Sequence, residues 1–309
     1  MNDKWRHNWV LAYHWLCQRR QHYPANADVW HLRFGWLNQG ETLWNNIRLG
    51  KYYLKPMEVI TSWDGRQTVQ WCAEDALVLK WLTLCLTPLL PKHPACRHLK
   101  GHGGVQGSIL ATLQAINSGE YQFVYRTDIK GYYEHFPKEH LWKWLNGYTT
   151  SPALLNLLYQ YIYYSVEEGG EFFSPEQGIC RGCALSPLLG GSYLYSLDTI
   201  LATQKGIFYE RYMDDFLLLS PTRWPLKRAI AVLQNALAHD NFTCHRDKTQ
   251  MGRIEKGFDW LGMWFSDTDM IRSPRSLARA KERQLEKEQR LRLYEQTRKS
   301  YLCARSVER

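Results

Sequence analysis

The sequence predicts an α+β fold in which short antiparallel strands end in acidic side chains and apolar helical runs cover them. Three observations carry that prediction. Residues 208–219 read Phe-Tyr-Glu-Arg-Tyr-Met-Asp-Asp-Phe-Leu-Leu-Leu, two strand-like runs around the Asp214-Asp215 pair, the pattern of a β-hairpin with acids at its tip. Residues 122–129, Gln-Phe-Val-Tyr-Arg-Thr-Asp-Ile, make a second strand-like run that ends in Asp128 and the residue after it. Residues 75–82, Asp-Ala-Leu-Val-Leu-Lys-Trp-Leu, and the stretch that follows Pro137 read as helices.

Along the chain, Trp5, Trp9, Tyr13 and Leu16 follow helical spacing, which predicts a helix whose aromatic stripe packs inward. Its basic end, Gln18-Arg19-Arg20-Gln21-His22, precedes Pro24 and suits contact with RNA, because bases stack on aromatic rings while arginines hold phosphates. Ser62-Trp63-Asp64-Gly65-Arg66 reads as a turn between two strands. The apolar run at 77–90 is interrupted by Lys80 and is too short to span a bilayer. Residues 100–107, Lys-Gly-His-Gly-Gly-Val-Gln-Gly, form a glycine-rich loop without the Gly-Lys-Ser/Thr ending of a P-loop, which argues against an ATPase.

An isolated Asp-Asp turn is ordinarily only a turn, because aspartate caps nearby backbone. Here four apolar residues follow the pair directly, more than a solvent-facing tip needs. Two carboxylates about 4 Å apart repel by roughly 4 kcal/mol at an effective dielectric near 20, so the pair predicts a divalent cation. Oxygen ligands alone favour Mg²⁺, with Mn²⁺ as an alternative, and Asp128 is the candidate third carboxylate. The 309-residue chain carries 39 Lys and Arg against 30 acids, a formal charge of +9 with pI near 9.1, which favours a polyanionic partner. Residues 275–309 hold 11 Lys and Arg against 5 Glu, or +6 of that excess (11 minus 5), with an intermittent apolar face at Leu277, Leu285, Leu291, Leu293 and Tyr294. Eight cysteines without a signal-peptide pattern predict a reducing, cytoplasmic location. Cys180 and Cys183 form a C-x-x-C lacking a second pair at zinc spacing, which favours packing over metal binding.

In this order the motifs resemble those of the reverse transcriptases. Asp128-Ile129-Lys130-Gly131-Tyr132-Tyr133 is similar to the family's first palm motif, and Tyr212-Met213-Asp214-Asp215 to its catalytic hairpin. Gly178-Ile179-Cys180-Arg181-Gly182-Cys183-Ala184-Leu185-Ser186-Pro187-Leu188-Leu189 is similar to the loop and helix between them, with Arg181 where the family usually has Gln. His245-Arg246-Asp247-Lys248-Thr249 resembles the fourth motif, and Phe258-Asp259-Trp260-Leu261-Gly262 the primer grip. The resemblance implies a right-hand polymerase fold: an N-terminal helical extension over 1–50, fingers over 51–120, an antiparallel-sheet palm over 121–266 and a short basic thumb over 267–309. It implies two metal ions held by Asp128, Asp214 and Asp215 with Ile129 beside them, and Lys248 as a proton donor to pyrophosphate. Tyr133 becomes the steric gate against ribose. Arg66, Lys55, Arg181 and Gly182 become nucleotide-binding positions.

The implied partners are an RNA template, deoxynucleoside triphosphates and a DNA product, with no membrane and an open oligomeric state. The compact size, the absence of an appended nuclease and the wording Gly-Ile-Cys-Arg-Gly-Cys resemble the small defence-associated bacterial enzymes, several of which use a companion non-coding RNA. Retron and group II intron enzymes are the nearest alternatives. A non-catalytic RNA-binding scaffold would match the basic and aromatic composition but has little use for three acids. An RNA-dependent RNA polymerase would share the acids, and Tyr133 speaks against it.

Overall fold

The computed structural model describes residues 3–61, 65 and 67–307, with residues 290, 293, 294 and 296–307 described by backbone only. The chain opens with three helices, α1 (Asp3–Arg19), α2 (Asp28–Phe34) and α3 (Trp36–Arg48), followed by β1 (Met57–Thr61), β2 (Gln67–Gln70), α4 (Ala73–Leu86) and α5 (Gly104–Asn117). After β3 (Phe123–Asp128) come α6 (Lys138–Asn146), α7 (Pro152–Ile162), β4 (Val166–Glu168), β5 (Glu171–Phe173), α8 (Ser186–Tyr193) and α9 (Tyr195–Ala202). The hairpin β6 (Phe208–Tyr212) and β7 (Asp215–Ser220) leads into α10 (Arg223–His239) and β8 (Gln250–Arg253). A small meander, β9 (Phe258–Trp260), β10 (Met263–Phe265) and β11 (Met270–Arg272), precedes the long α11 (Pro274–Val307).

The central sheet has the order β6-β7-β3-β8, and each neighbouring pair in it is antiparallel. The α+β fold expected from the sequence is therefore the fold observed. A second sheet, β2-β1-β4-β5, contains a parallel pair, β1 with β4. That pair joins strands more than 100 residues apart, a separation that no local hairpin signal reports.

The four apolar residues after the acidic pair now have a reason. Successive side chains of a strand point to opposite faces. Phe216 and Leu218 enter the main core with Leu226, Ala229, Leu233 and Leu237 of α10. Leu217 and Leu219 enter a second core with Ala115 and Ile116 of α5, Phe258, Trp260 and Phe265. With both faces of β7 covered, the strand reads as continuously apolar. Truncating such a leucine to alanine costs about 2–5 kcal/mol.

The N-terminal stripe packs as expected: Trp9 and Leu16 are buried, Trp5 meets Trp81 edge-on at 5.5 Å, and Tyr13 stacks on Trp36 at 3.6 Å. At its basic end Arg20 is also buried, donating to the Trp71 carbonyl at 2.7 Å and to Asp28 at 3.2 Å, so it serves the packing of α1. Among the described residues no helix is long and apolar enough to cross a membrane.

Candidate active site

The antiparallel register of β3 and β7 sets Asp128 directly opposite Asp215. Asp214 lies in the turn between β6 and β7, where its carbonyl accepts the Ile129 N–H at 3.1 Å. Three carboxylates thus converge at one end of the central sheet. Burial, then the neighbouring Asp214 and Asp128, push the Asp215 carboxyl up to about 7. Burial also raises Asp214, with Asp128 adding to it. Lys248, on a 3₁₀ turn at Arg246–Lys248, donates to Asp128 Oδ2 at 2.5 Å. Asp128 Oδ1 is buried without a hydrogen-bond partner, an open acceptor of the kind a hard cation takes up. All three residues present hard oxygen donors, the donor chemistry that a divalent ion takes. Ile129 has its side chain in the core, so its only donor toward an ion is its main-chain carbonyl.

The turn that carries Asp214 is held from both sides. Met213 has φ +57°, a left-handed conformation that costs a non-glycine residue about 1–2 kcal/mol. Its N–H donates to His98 Nδ1 at 3.0 Å, and its carbonyl accepts from Arg211 Nη1 at 2.8 Å. The other His98 nitrogen, Nε2, donates to the Pro187 carbonyl at 2.9 Å. With Nδ1 accepting, the ring is neutral, and burial holds its pKa down at about 4. Arg211 is fully buried against Asp198, with Nε to Oδ1 at 2.6 Å and Nη2 to Oδ2 at 2.5 Å. Tyr209 donates to the same carboxylate at 2.6 Å.

Two cavities meet at Asp214. One, of about 800 Å³, is lined by Tyr133, Arg181, Gly182, Ala184, Met213 and Asp214, with β2 and the end of α1 closing the far side. Gly178 docks the 178–189 loop onto the Tyr133 segment: its φ is +89°, and a Cβ there would come within 2.7 Å of the Glu134 carbonyl oxygen. Ile179 N–H then donates to the Tyr133 carbonyl at 2.8 Å. Burial, and then Asp214, push the Tyr133 phenol up to about 12, so it remains a neutral donor. Arg181 pairs at 3.3 Å with Glu134, both well exposed, which leaves the guanidinium easy to recruit. The other cavity, of about 750 Å³, holds Asp128, Asp215, Lys248, the β9–β10 turn at Leu261 and Gly262, and Arg275, Arg279 and Arg283 of α11. Those arginines are four residues apart and share one helix face.

The structure does not bring every expected residue here. Lys55 pairs with Glu74 at 2.8 Å and lines neither cavity. Asp75 is buried as an acceptor for Tyr52 at 2.7 Å and the Lys55 N–H at 3.0 Å, a structural position. Arg66, with Ser62, Trp63 and Asp64, lies outside the described residues. Cys180 and Cys183 are buried, and burial raises both thiols, in keeping with packing. His98, Asp198 and Arg211 were not singled out from the sequence. The available signal was a charged pair, Glu210-Arg211, inside an otherwise apolar strand.

Comparison with curated proteins finds no match. The family described as reverse transcriptase (RNA-dependent DNA polymerase) matches residues 73–265, well over half of the 309-residue chain, and the match spans all three carboxylates with β3 and the β6–β7 hairpin that carry them. The chain belongs to the reverse transcriptase family, nucleotidyltransferases that use divalent ions to copy an RNA template into DNA from deoxynucleoside triphosphates.

Proposed function

We propose that this reverse transcriptase copies a companion structured non-coding RNA, with Mg²⁺ ions at Asp128, Asp214 and Asp215, and that it serves in antiphage defence. The observation that carries the catalytic part is the Asp128–Asp215 register pair with its unmatched buried oxygen. The defence assignment is supported by the motif wording at 178–183.

Two ions at this cluster would activate the primer 3′ hydroxyl and balance charge on the departing pyrophosphate. The protein's own groups divide the remaining work between the two cavities. Tyr133, which lines the first cavity, presents a ring against a ribose 2′ hydroxyl. Arg181 offers a planar fork to triphosphate oxygens, and Gly182, with φ +74° and no atom within 4 Å of a Cβ position, leaves the approach open. Lys248, which pairs with Asp128, would supply the ammonium proton that the departing pyrophosphate takes up. Arg275, Arg279 and Arg283 face the phosphates of the template and primer duplex as a thumb element.

The test is to sequence RNA and DNA recovered with the tagged protein from its host, comparing wild type with an Asp214→Ala, Asp215→Ala variant, with and without phage. One RNA with both proteins, complementary DNA with wild type alone, and phage protection lost in the variant are expected. Identical DNA pools would remove the polymerase reading. Undiminished protection would remove the defence role.

A further inference from the structure

We propose that the end of the central sheet opposite the carboxylates is a second RNA site, a groove that holds a single-stranded part of the template outside the copying cleft. This inference rests on the family's use of an RNA template and not on the proposed companion RNA or defence role.

The groove encloses about 580 Å³ between the start of α10 and the outer strand β8. It starts from Phe123, the first residue of β3, five positions from Asp128, or about 17 Å along an extended strand. Four cations line it, Arg223, Lys227, Arg253 and Lys256, against one acid, Glu255. That acid is already engaged by Arg253 at 3.3 Å.

Three independent features suit a phosphate chain with bases attached. First, the Phe123 ring lies under two guanidinium groups, Arg223 at 5.5 Å and Arg253 at 5.9 Å. Resting on a ring, the Arg223 guanidinium keeps its N–H edges for phosphate oxygens, and Arg253 keeps those that Glu255 does not take. Second, α10 runs 17 residues from Arg223 with no acid in its first turn and no side-chain cap from Thr222. The positive end of its dipole, with the Arg223 and Trp224 N–H groups ahead of Pro225, thus has no internal anion beside it, a charge that a phosphate supplies. Third, large side chains that stack or pack on bases are exposed here: Met251 in the lining is 60% exposed, and Trp224, next to the lining residue Arg223 on α10, is 78% exposed. Single strands are held in this way by a basic track with aromatic platforms. Because β8 is the sheet's outer strand, a nucleic acid reaches these groups from solvent.

The test uses the full chain and a fluorescein-labelled 30-nucleotide uridine RNA, followed by anisotropy across a salt series. In parallel, single-nucleotide extension is measured on a short primer–template duplex that fills only the copying cleft. Lys227→Glu with Lys256→Glu is expected to weaken RNA binding at least about tenfold and to lower the log–log salt slope by about 1.4, the value for two lost single-strand phosphate contacts. Trp224→Ala, which removes a solvent-exposed ring, is expected to weaken it about fivefold or more with the slope unchanged. Both variants should extend the short duplex within twofold of wild type and melt at the same temperature. Unchanged RNA affinity and slope would overturn the proposal, as would an equal loss in short-duplex extension. Weakened binding of the matching thymidine DNA with RNA binding intact would overturn the assignment to RNA.

Discussion

Two buried charge clusters sit within a few residues of each other on the β6–β7 hairpin, and they are built on opposite principles. Below the turn, Arg211 and Asp198 are wholly excluded from water, and their polar atoms meet Tyr209, the Gly191 carbonyl and the Met213 carbonyl. At the turn, three carboxylates are gathered with one lysine contact and one oxygen left without a partner. A closed cluster gives the fold a fixed geometry. An open one carries an unfavourable charge balance that a bound cation or a proton relieves. The difference separates scaffold from site on this hairpin: the closed pair positions the Met213 carbonyl, and through it the open cluster, without itself facing either cavity.

The largest test of this contrast removes one half of the closed pair. Arg211→Met should cost about 3–5 kcal/mol in denaturant unfolding, because it strands a buried Asp198 carboxylate. A loss below about 1 kcal/mol would show that the pair is not the scaffold described. Removing both charges together, with Asp198→Leu added, should recover much of the stability while leaving extension impaired, since the Met213 carbonyl then has no clamp.

His98 supplies the next test, through pH. Its folded pKa near 4 lies below the unfolded value of about 6.5, so the unfolded chain takes up the proton first. The stability tied to neutral His98 is complete above pH 6.5, falls as pH drops through that value, and is gone near pH 4, a loss of order 3 kcal/mol. Asp215, raised to about 7, acts with the opposite sign: its burial penalty applies above pH 7 and is relieved as the pH falls toward its unfolded value of about 4. The difference between wild type and His98→Gln therefore isolates the histidine. A flat difference curve between pH 4 and 6.5 would contradict the neutral, Met213-bound ring.

Metal addition probes the open cluster itself. In chelator-treated buffer Asp215→Asn should be more stable than wild type by about 1–3 kcal/mol, having lost a repelling charge. Adding Mg²⁺ should reverse that order, because ligand bound to the folded state alone stabilises by about 2.7 kcal/mol at a hundredfold excess over Kd. Melting curves with and without Mg²⁺ decide it, and equal shifts in the two proteins would sink the assignment. The smallest effect on stability is expected at Arg181→Gln, within about 0.5 kcal/mol because its ion pair is exposed. Its effect should instead fall on nucleotide KM and misincorporation, and unchanged values for both would remove Arg181 from nucleotide selection.

The placement of the acids was legible in the sequence because it is written locally. Tyr212-Met213-Asp214-Asp215 between two apolar runs is a hairpin on any backbone that obeys strand geometry, and residues 122–129 announce a strand that ends in an acid. The helical spacing of Trp5, Trp9, Tyr13 and Leu16 likewise anticipated the packed face of α1. Contacts across long stretches of chain leave no such trace. Lys248 meets Asp128 across 120 residues, His98 meets Met213 across 115, and Lys55 turns to Glu74 because packing around the buried Asp75 brings those two together. The order and identity of the acids followed from sequence alone. Which charges are closed into the fold and which are left open for a ligand was decided by tertiary structure, because burial and the matching of each polar atom arise only when distant segments pack.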